Sequence, residues 1–132
     1  MRIYVAGKYD EKQQARAVME QLCALGHEIT YDWTQHPESA DASNLRDAAD
    51  RDLRGVLGAD AVLMLFTDPL YAYRGTFTEL GAALAFGVPV YAVCPDANSY
   101  CRTNCFFHAN GVTHCASVQA ALQHLIAPTN SA

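Results

Sequence analysis

The chain has 132 residues, with 14 acidic against 9 basic side chains and a net charge of -5, which excludes a general nucleic-acid surface because neutralising phosphates requires clustered Lys and Arg. With 51% hydrophobic and only 17% charged residues it reads as globular rather than disordered, and its length suits one domain, residues 1–132. The apolar part of "MRIYVAGKYD" is too short for a signal-peptide core and runs at once into Lys8 and Asp10, so the expectation is a cytoplasmic protein with no membrane span.

In chain order, "RIYVAG" is a short apolar strand ending on glycine, and Ala15, Val18, Met19, Leu22 and Leu25 then recur at helical spacing until Gly26 stops the helix. "HEITYDW" alternates like a second strand. After the polar stretch "HPESADAS" a second helix is expected over Leu45 to Leu57. "DAVLMLF" is a continuous apolar run of the kind a strand buried on both faces needs. "GTFTELGAAL" supplies the next helix, "VPVYAVCP" a fourth strand and "VTHCAS" a short fifth. "SVQAALQHLIA" closes the chain as a helix capped by Ser117.

Alternation of strands and helices predicts an α/β fold, a flavodoxin-like or Rossmann-like three-layer sandwich with a parallel sheet of about five strands, binding ligands at the carboxyl ends of the strands. Three segments then share one rim: Ala6 to Asp10, Thr67 to Thr76 and Pro95 to Asn104. The first lacks the spacing of a dinucleotide fingerprint and no phosphate-binding GxxxxGK[ST] occurs, so neither NAD nor ATP is favoured. Five cysteines, an odd number, suit a reducing compartment. Cys101, Cys105, His108, His114 and Cys115 cluster in sequence but lack paired CxxC elements, so the expectation is no metal.

Two readings of Glu79 stay open at this level. Thr76-x-x-Glu79 matches a capping box, in which the acid only stabilises a helix start. Alternatively, the first turn of a helix after a central strand faces the ligand crevice, where the helix dipole keeps a carboxylate ionised and ready to act. Asp47 and Asp50 read as a solvated helix face, while Asp52 points elsewhere.

Taken together, "IYVAG" (Ile3 to Gly7), "DLRGVLGADAVLML" (Asp52 to Leu65) and "GTFTELGAALAFGVPV" (Gly75 to Val90) resemble, in the same order, the nucleoside 2-deoxyribosyltransferase superfamily, which includes 2'-deoxynucleoside 5'-monophosphate N-hydrolases. The resemblance implies that Glu79 attacks the anomeric carbon, that Tyr4 holds Glu79, and that Asp52 assists the departing base. It implies cleavage of an N-glycosidic bond through a covalent glycosyl-enzyme intermediate, resolved by water or by an acceptor base. Such chemistry is sensible for paired carboxyls: an anion beneath the sugar stabilises an oxocarbenium-like state while an acid protonates the leaving nitrogen.

The resemblance also implies candidate substrate contacts at Gly7, Lys8, Trp33, Tyr73, Arg74 and Gly75. Deoxyribosyltransferases carry a carboxylate six residues before the nucleophile; Tyr73 stands there instead, beside Arg74 and within reach of Lys8, which makes room for a 5'-phosphate. Trp33 either stacks on a base or packs. Phe106 and Phe107 read as packing beneath a loop or at a subunit contact. Ser99, Thr103 and Asn104 are equal candidates for a group lent to a neighbouring subunit's pocket. The implied partners are a small nucleoside or nucleotide and further copies of the chain, as a homodimer or larger homo-oligomer, with no cofactor.

"RGTFTEL" also resembles the signature of cytokinin-type nucleoside-monophosphate phosphoribohydrolases, though their preceding double glycine is absent. A non-catalytic nucleotide-binding or signalling domain, with Glu79 as a cap, is the alternative from another class.

Overall fold

The computed structural model describes residues 1–126. Five parallel strands, β1 (Arg2–Ala6), β2 (Glu28–Ile29), β3 (Ala61–Leu65), β4 (Val90–Val93) and β5 (Val112–Cys115), form one sheet in the order β2-β1-β3-β4-β5. Four α-helices join them: α1 (Lys12–Ala24), α2 (Ala42–Leu57), α3 (Arg74–Ala85) and α4 (Val118–His124). This is the flavodoxin-like strand order, whose topological switch point lies between β1 and β3 and opens a crevice beyond their carboxyl ends.

β3 pairs with β1 on one side and β4 on the other, and all five of its residues are buried, which explains its unbroken apolar sequence. Tyr4 pairs with Val62, and Val62 with Val90, so the three central strands share one register. Helices α2 and α3 pack against each other, while α1 and α4 border a common surface groove on the other side. Gly26, at φ +91°, ends α1 in a left-handed conformation that glycine adopts without a Cβ penalty.

Three elements differ from the sequence expectation. The second strand shrinks from "HEITYDW" to Glu28–Ile29, because Asp32 caps a short 3-10 turn at Trp33–Gln35, its carboxylate accepting the Thr34 N–H at 3.0 Å. A local Asx contact of this kind competes with ladder pairing. Helix α2 begins at Ala42, a turn earlier than Leu45. At the other end of the chain, Ser117 caps α4 by accepting the Ala120 N–H at 3.1 Å. Helix α4 ends at His124 with Leu125 as its C-cap, short of the expected extension through Ile126, while Ala127 lies outside the described residues. Among the described residues no helix is long and apolar enough to cross a membrane.

Candidate active site

Tyr4 lies at the centre of β1 and turns its ring toward α2 and α3. Gly55 of α2 makes this possible: a Cβ there would fall 2.7 Å from Tyr4 Cδ1 and 2.9 Å from Cε1. The ring is fully buried, and its hydroxyl crosses to α3 and donates to Glu79 Oε2 at 2.5 Å, at the short end of the O–H···O range.

Asp52, one turn before Gly55 on α2, faces the same space. Tyr4, Asp52 and Glu79 together line a cavity of about 320 Å³, with Gly7, Trp33, Gly75, Thr76 and Thr78 on its other walls. A second chamber of about 400 Å³ adjoins it across Tyr9, Trp33 and Asp52, which border both. The Trp33 indole N–H donates to Val5 O at 2.6 Å, so this ring is pinned to β1 as a fixed wall.

Burial decides the electrostatics. It pushes Glu79 up to about 8, against the hydrogen bond from Tyr4 and with the help of the Asp52 charge. Burial likewise raises Asp52 to about 6, opposed by Tyr4 and by the nearby His36. The phenol of Tyr4 is driven well above its usual range, first by burial and then by the two carboxyls. The expectation that a helix dipole keeps Glu79 ionised is therefore corrected: Glu79 lies beyond the first turn of α3, where the dipole has faded and desolvation dominates.

The capping-box reading is overturned as well. The residue that caps α3 is Tyr73, in the left-handed region at φ 52°, and no side chain caps the helix. Thr76 is buried inside the first turn, and Glu79 bonds to Tyr4, on a different strand, instead of reaching back to its own helix start.

Of the candidate substrate contacts, Gly7, Trp33 and Gly75 line the cavity, and Arg74 is exposed at the start of α3 beside Gly75. Lys8 and Tyr73 are placed elsewhere. Lys8 Nζ pairs with Asp68 at 2.7 Å and lies 4.5 Å from the centre of the Tyr71 ring. Tyr73 is buried edge-on against Phe66 at 5.1 Å, its hydroxyl accepting the Asp68 N–H at 2.8 Å. Both residues thus brace the loop between β3 and α3.

In the loop after β4, Ser99 is buried against Cys101, Thr103 donates to Tyr100 O at 2.7 Å, and Asn104 accepts the Phe106 N–H at 2.9 Å. Phe107 is buried against Phe66, whereas Phe106 is exposed. The five cysteines are free. Cys94 and Cys101 approach to 3.4 Å between sulfurs, and among the described residues no group of three or more His, Cys, Asp or Glu is gathered as for a metal.

Sequence reasoning missed Gly55, Tyr9, Thr78 and His36 as parts of the site. Tyr9 sits in a predicted rim segment and Thr78 inside the motif around Glu79, so both carried a signal. Gly55 lies inside the Asp52 to Leu65 motif but, like His36, was not singled out, since the roles of both depend on what packs against them.

An open parallel sheet with two half-buried carboxyls, one of them bonded to a buried tyrosine, at its switch-point crevice defines a flavodoxin-like α/β protein built around an acid-lined cavity. A family model described as nucleoside 2-deoxyribosyltransferase matches residues 3–125, and the chain belongs to that family. Three solved structures share its fold. A 2-deoxyribosyltransferase from Bacillus psychrosaccharolyticus is 24% identical, with 74% of each chain covered and a TM-score of 0.58. A conserved protein from Enterococcus faecalis V583 is 20% identical, covering 93% of this chain and 95% of that one, with a TM-score of 0.72. The Clostridium botulinum CMP N-glycosidase BcmB is 18% identical, covering 95% and 97%, with a TM-score of 0.62. No curated protein sequence matches significantly.

Proposed function

We propose that this protein cleaves the N-glycosidic bond of a deoxynucleoside or its 5'-monophosphate, with Glu79 as nucleophile and Asp52 as the acid that assists the departing base. The observation that carries this reading is the 2.5 Å bond from Tyr4 to Glu79 on the wall of a cavity that Asp52 also enters. Family membership supports the reaction class. In the proposed sequence, Glu79 attacks the anomeric carbon, the carbon–nitrogen bond breaks, and the proton of Asp52 passes to the leaving nitrogen. Water or an acceptor base then displaces the sugar from Glu79.

Burial orders the two acids against these roles, with Glu79 near 8 and Asp52 near 6. At neutral pH the pair holds about one proton, mostly on Glu79. A sugar carbon gaining positive charge over Glu79 favours the anion there more than at Asp52, so the reacting complex selects the reverse arrangement. Tyr4 lowers the energy of that arrangement by donating to the Glu79 anion.

A 5'-phosphate fits the start of α3. No acid occupies its first turn, and the N–H groups around Gly75, together with Arg74, favour an anion there. Exposed Leu53 and Leu57 on α2 support assembly into a homodimer or larger homo-oligomer, which sedimentation would register.

The test is incubation with deoxynucleosides and their 5'-monophosphates, with and without a free acceptor base, following base release and exchange by chromatography. Release or exchange that disappears in Glu79→Ala supports the reading. No turnover of any of these substrates would favour a binding domain instead.

A further inference from the structure

Three buried side-chain polar atoms lack a hydrogen-bond partner among the described residues: His27 Nε2, His36 Nε2 and Asp52 Oδ1. The last two belong to residues that line one chamber, the 400 Å³ space beyond Asp52. An unsatisfied buried polar atom is costly, and two on one cavity wall call for an occupant that supplies their partners.

The position of the chamber says which part of a substrate would enter it. On the reading proposed above, the sugar carbon lies over Glu79 in the inner cavity. A leaving group departs opposite its nucleophile and past the acid that assists it. Asp52 is a wall of both spaces, so the base passes into the outer one.

The chamber is also built ahead of the ligand. Trp33 is pinned to β1, and the turn that carries it delivers His36, whose N–H bonds to Trp33 O at 3.1 Å. Asn44 of α2 donates to Pro37 O and Ser39 O, each at 3.0 Å, and so ties down the loop over the top. The imidazole is anchored from behind, with Nδ1 3.1 Å from the Tyr31 hydroxyl. Tyr31 in turn is set by α2, where its Cβ lies 3.1 Å from the point at which a Cβ on Gly55 would stand.

We infer that His36, oriented by Tyr31, determines which nucleobase is accepted, its Nε2 and Asp52 Oδ1 together engaging the polar edge of a base lodged in this chamber. Both residues line the chamber, and both atoms are shut off from solvent. The last torsion of each side chain is broad and soft, so a small rotation brings them to a ligand. The bond between Nδ1 and Tyr31 couples the tautomer to the phenol: when the hydroxyl donates to Nδ1, Nε2 carries the proton and donates, and when it accepts from Nδ1, Nε2 accepts. A site of this kind discriminates by leaving its own groups unpaired when the wrong edge is presented.

The experiment measures binding of free adenine, guanine, cytosine and thymine by calorimetry to the wild type, His36→Ala, His36→Asn and Tyr31→Phe, with circular dichroism as the control for folding. It is followed by kcat/KM on the four deoxynucleoside 5'-monophosphates. The wild type should prefer one base by about tenfold, the size of one hydrogen bond made or left unmade in a buried site. His36→Ala should erase that preference in both assays. His36→Asn, which keeps a polar tip, should change which base is preferred, and Tyr31→Phe should weaken the preference while leaving the imidazole in place.

Folded variants that rank the bases as the wild type does would overturn the inference, whether or not overall activity drops. If the wild type cleaves nucleotides with a ranking untouched in His36→Ala, the inference alone fails. If bases bind selectively through His36 but no nucleotide is cleaved, the inference holds and the proposed glycosidic cleavage fails.

Discussion

Replacing Tyr4 by Phe removes one oxygen and keeps the ring that Gly55 accommodates, so the fold is expected to survive while Glu79 loses its 2.5 Å donor. A hydrogen bond to a charged group contributes about 1.5–3 kcal/mol, or about one to two pKa units. The Glu79 carboxyl, already near 8, would rise further. The reactive arrangement, with Glu79 ionised and Asp52 protonated, is a minority even in the wild type. Values near 8 and 6 make it roughly one in a hundred of the singly protonated pairs. Tyr4→Phe should reduce it by the same factor as the lost bond. The same hydroxyl also holds Asp52 down, which offsets part of the effect and places the expected fall in kcat/KM at pH 7 near the lower bound, about tenfold. The assay is base release across pH. Wild-type kcat/KM should trace a bell with limbs near 6 and 8, and the variant's alkaline limb should move up by about one unit. An alkaline limb that stays in place, or an undiminished rate, would refute the coupling of Tyr4 to Glu79.

Gly55→Ala puts a methyl into the Tyr4 ring and should destabilise by about 1–3 kcal/mol, as over-packing does; a lower urea midpoint with loss of base release checks this, and an unchanged midpoint counts against it. Glu79→Gln should stabilise the protein increasingly as pH rises from 4.5 to about 8. Across that window the native state keeps a proton the unfolded chain has released, so the wild type loses stability through Glu79 with rising pH, a loss the variant does not share. Melting temperatures measured across the range should diverge, and a constant gap would mean that burial does not raise Glu79. Arg74→Ala should weaken KM for 5'-monophosphates by about tenfold and leave unphosphorylated nucleosides nearly unaffected, an equal effect on both being the contrary result.

The fold was legible because its core is written in runs that one architecture alone satisfies. "DAVLMLF" needs a strand covered on both faces, and β3 is buried throughout. The second strand was overread because the alternation of "HEITYDW" persists after Asp32 has diverted the backbone into a turn. Within the site, Tyr4, Asp52 and Glu79 were found through resemblance, and the structure brings all three to one cavity. Spacing alone left Glu79 open between a helix cap and a carboxylate facing the crevice. Tyr73 and Lys8 illustrate what sequence position cannot carry. Both lie within two residues of a cavity residue in sequence, yet Lys8 is held by Asp68, and the left-handed backbone at Tyr73 accompanies a ring packed inward against Phe66. The roles of His36 and Gly55 could not be read from sequence because they exist only in contact with Tyr31 and Tyr4.

The most direct measurement is to trap the sugar on the protein. A 2'-fluorinated deoxynucleoside 5'-monophosphate, whose electron-withdrawing substituent slows breakdown of a glycosyl-enzyme, would be mixed with the protein, quenched, digested and mapped by mass spectrometry. The predicted outcome is one sugar phosphate esterified to Glu79, absent in Glu79→Gln. Turnover without any adduct, accompanied by Glu79→Gln releasing base at the wild-type rate, would contradict attack by this carboxylate.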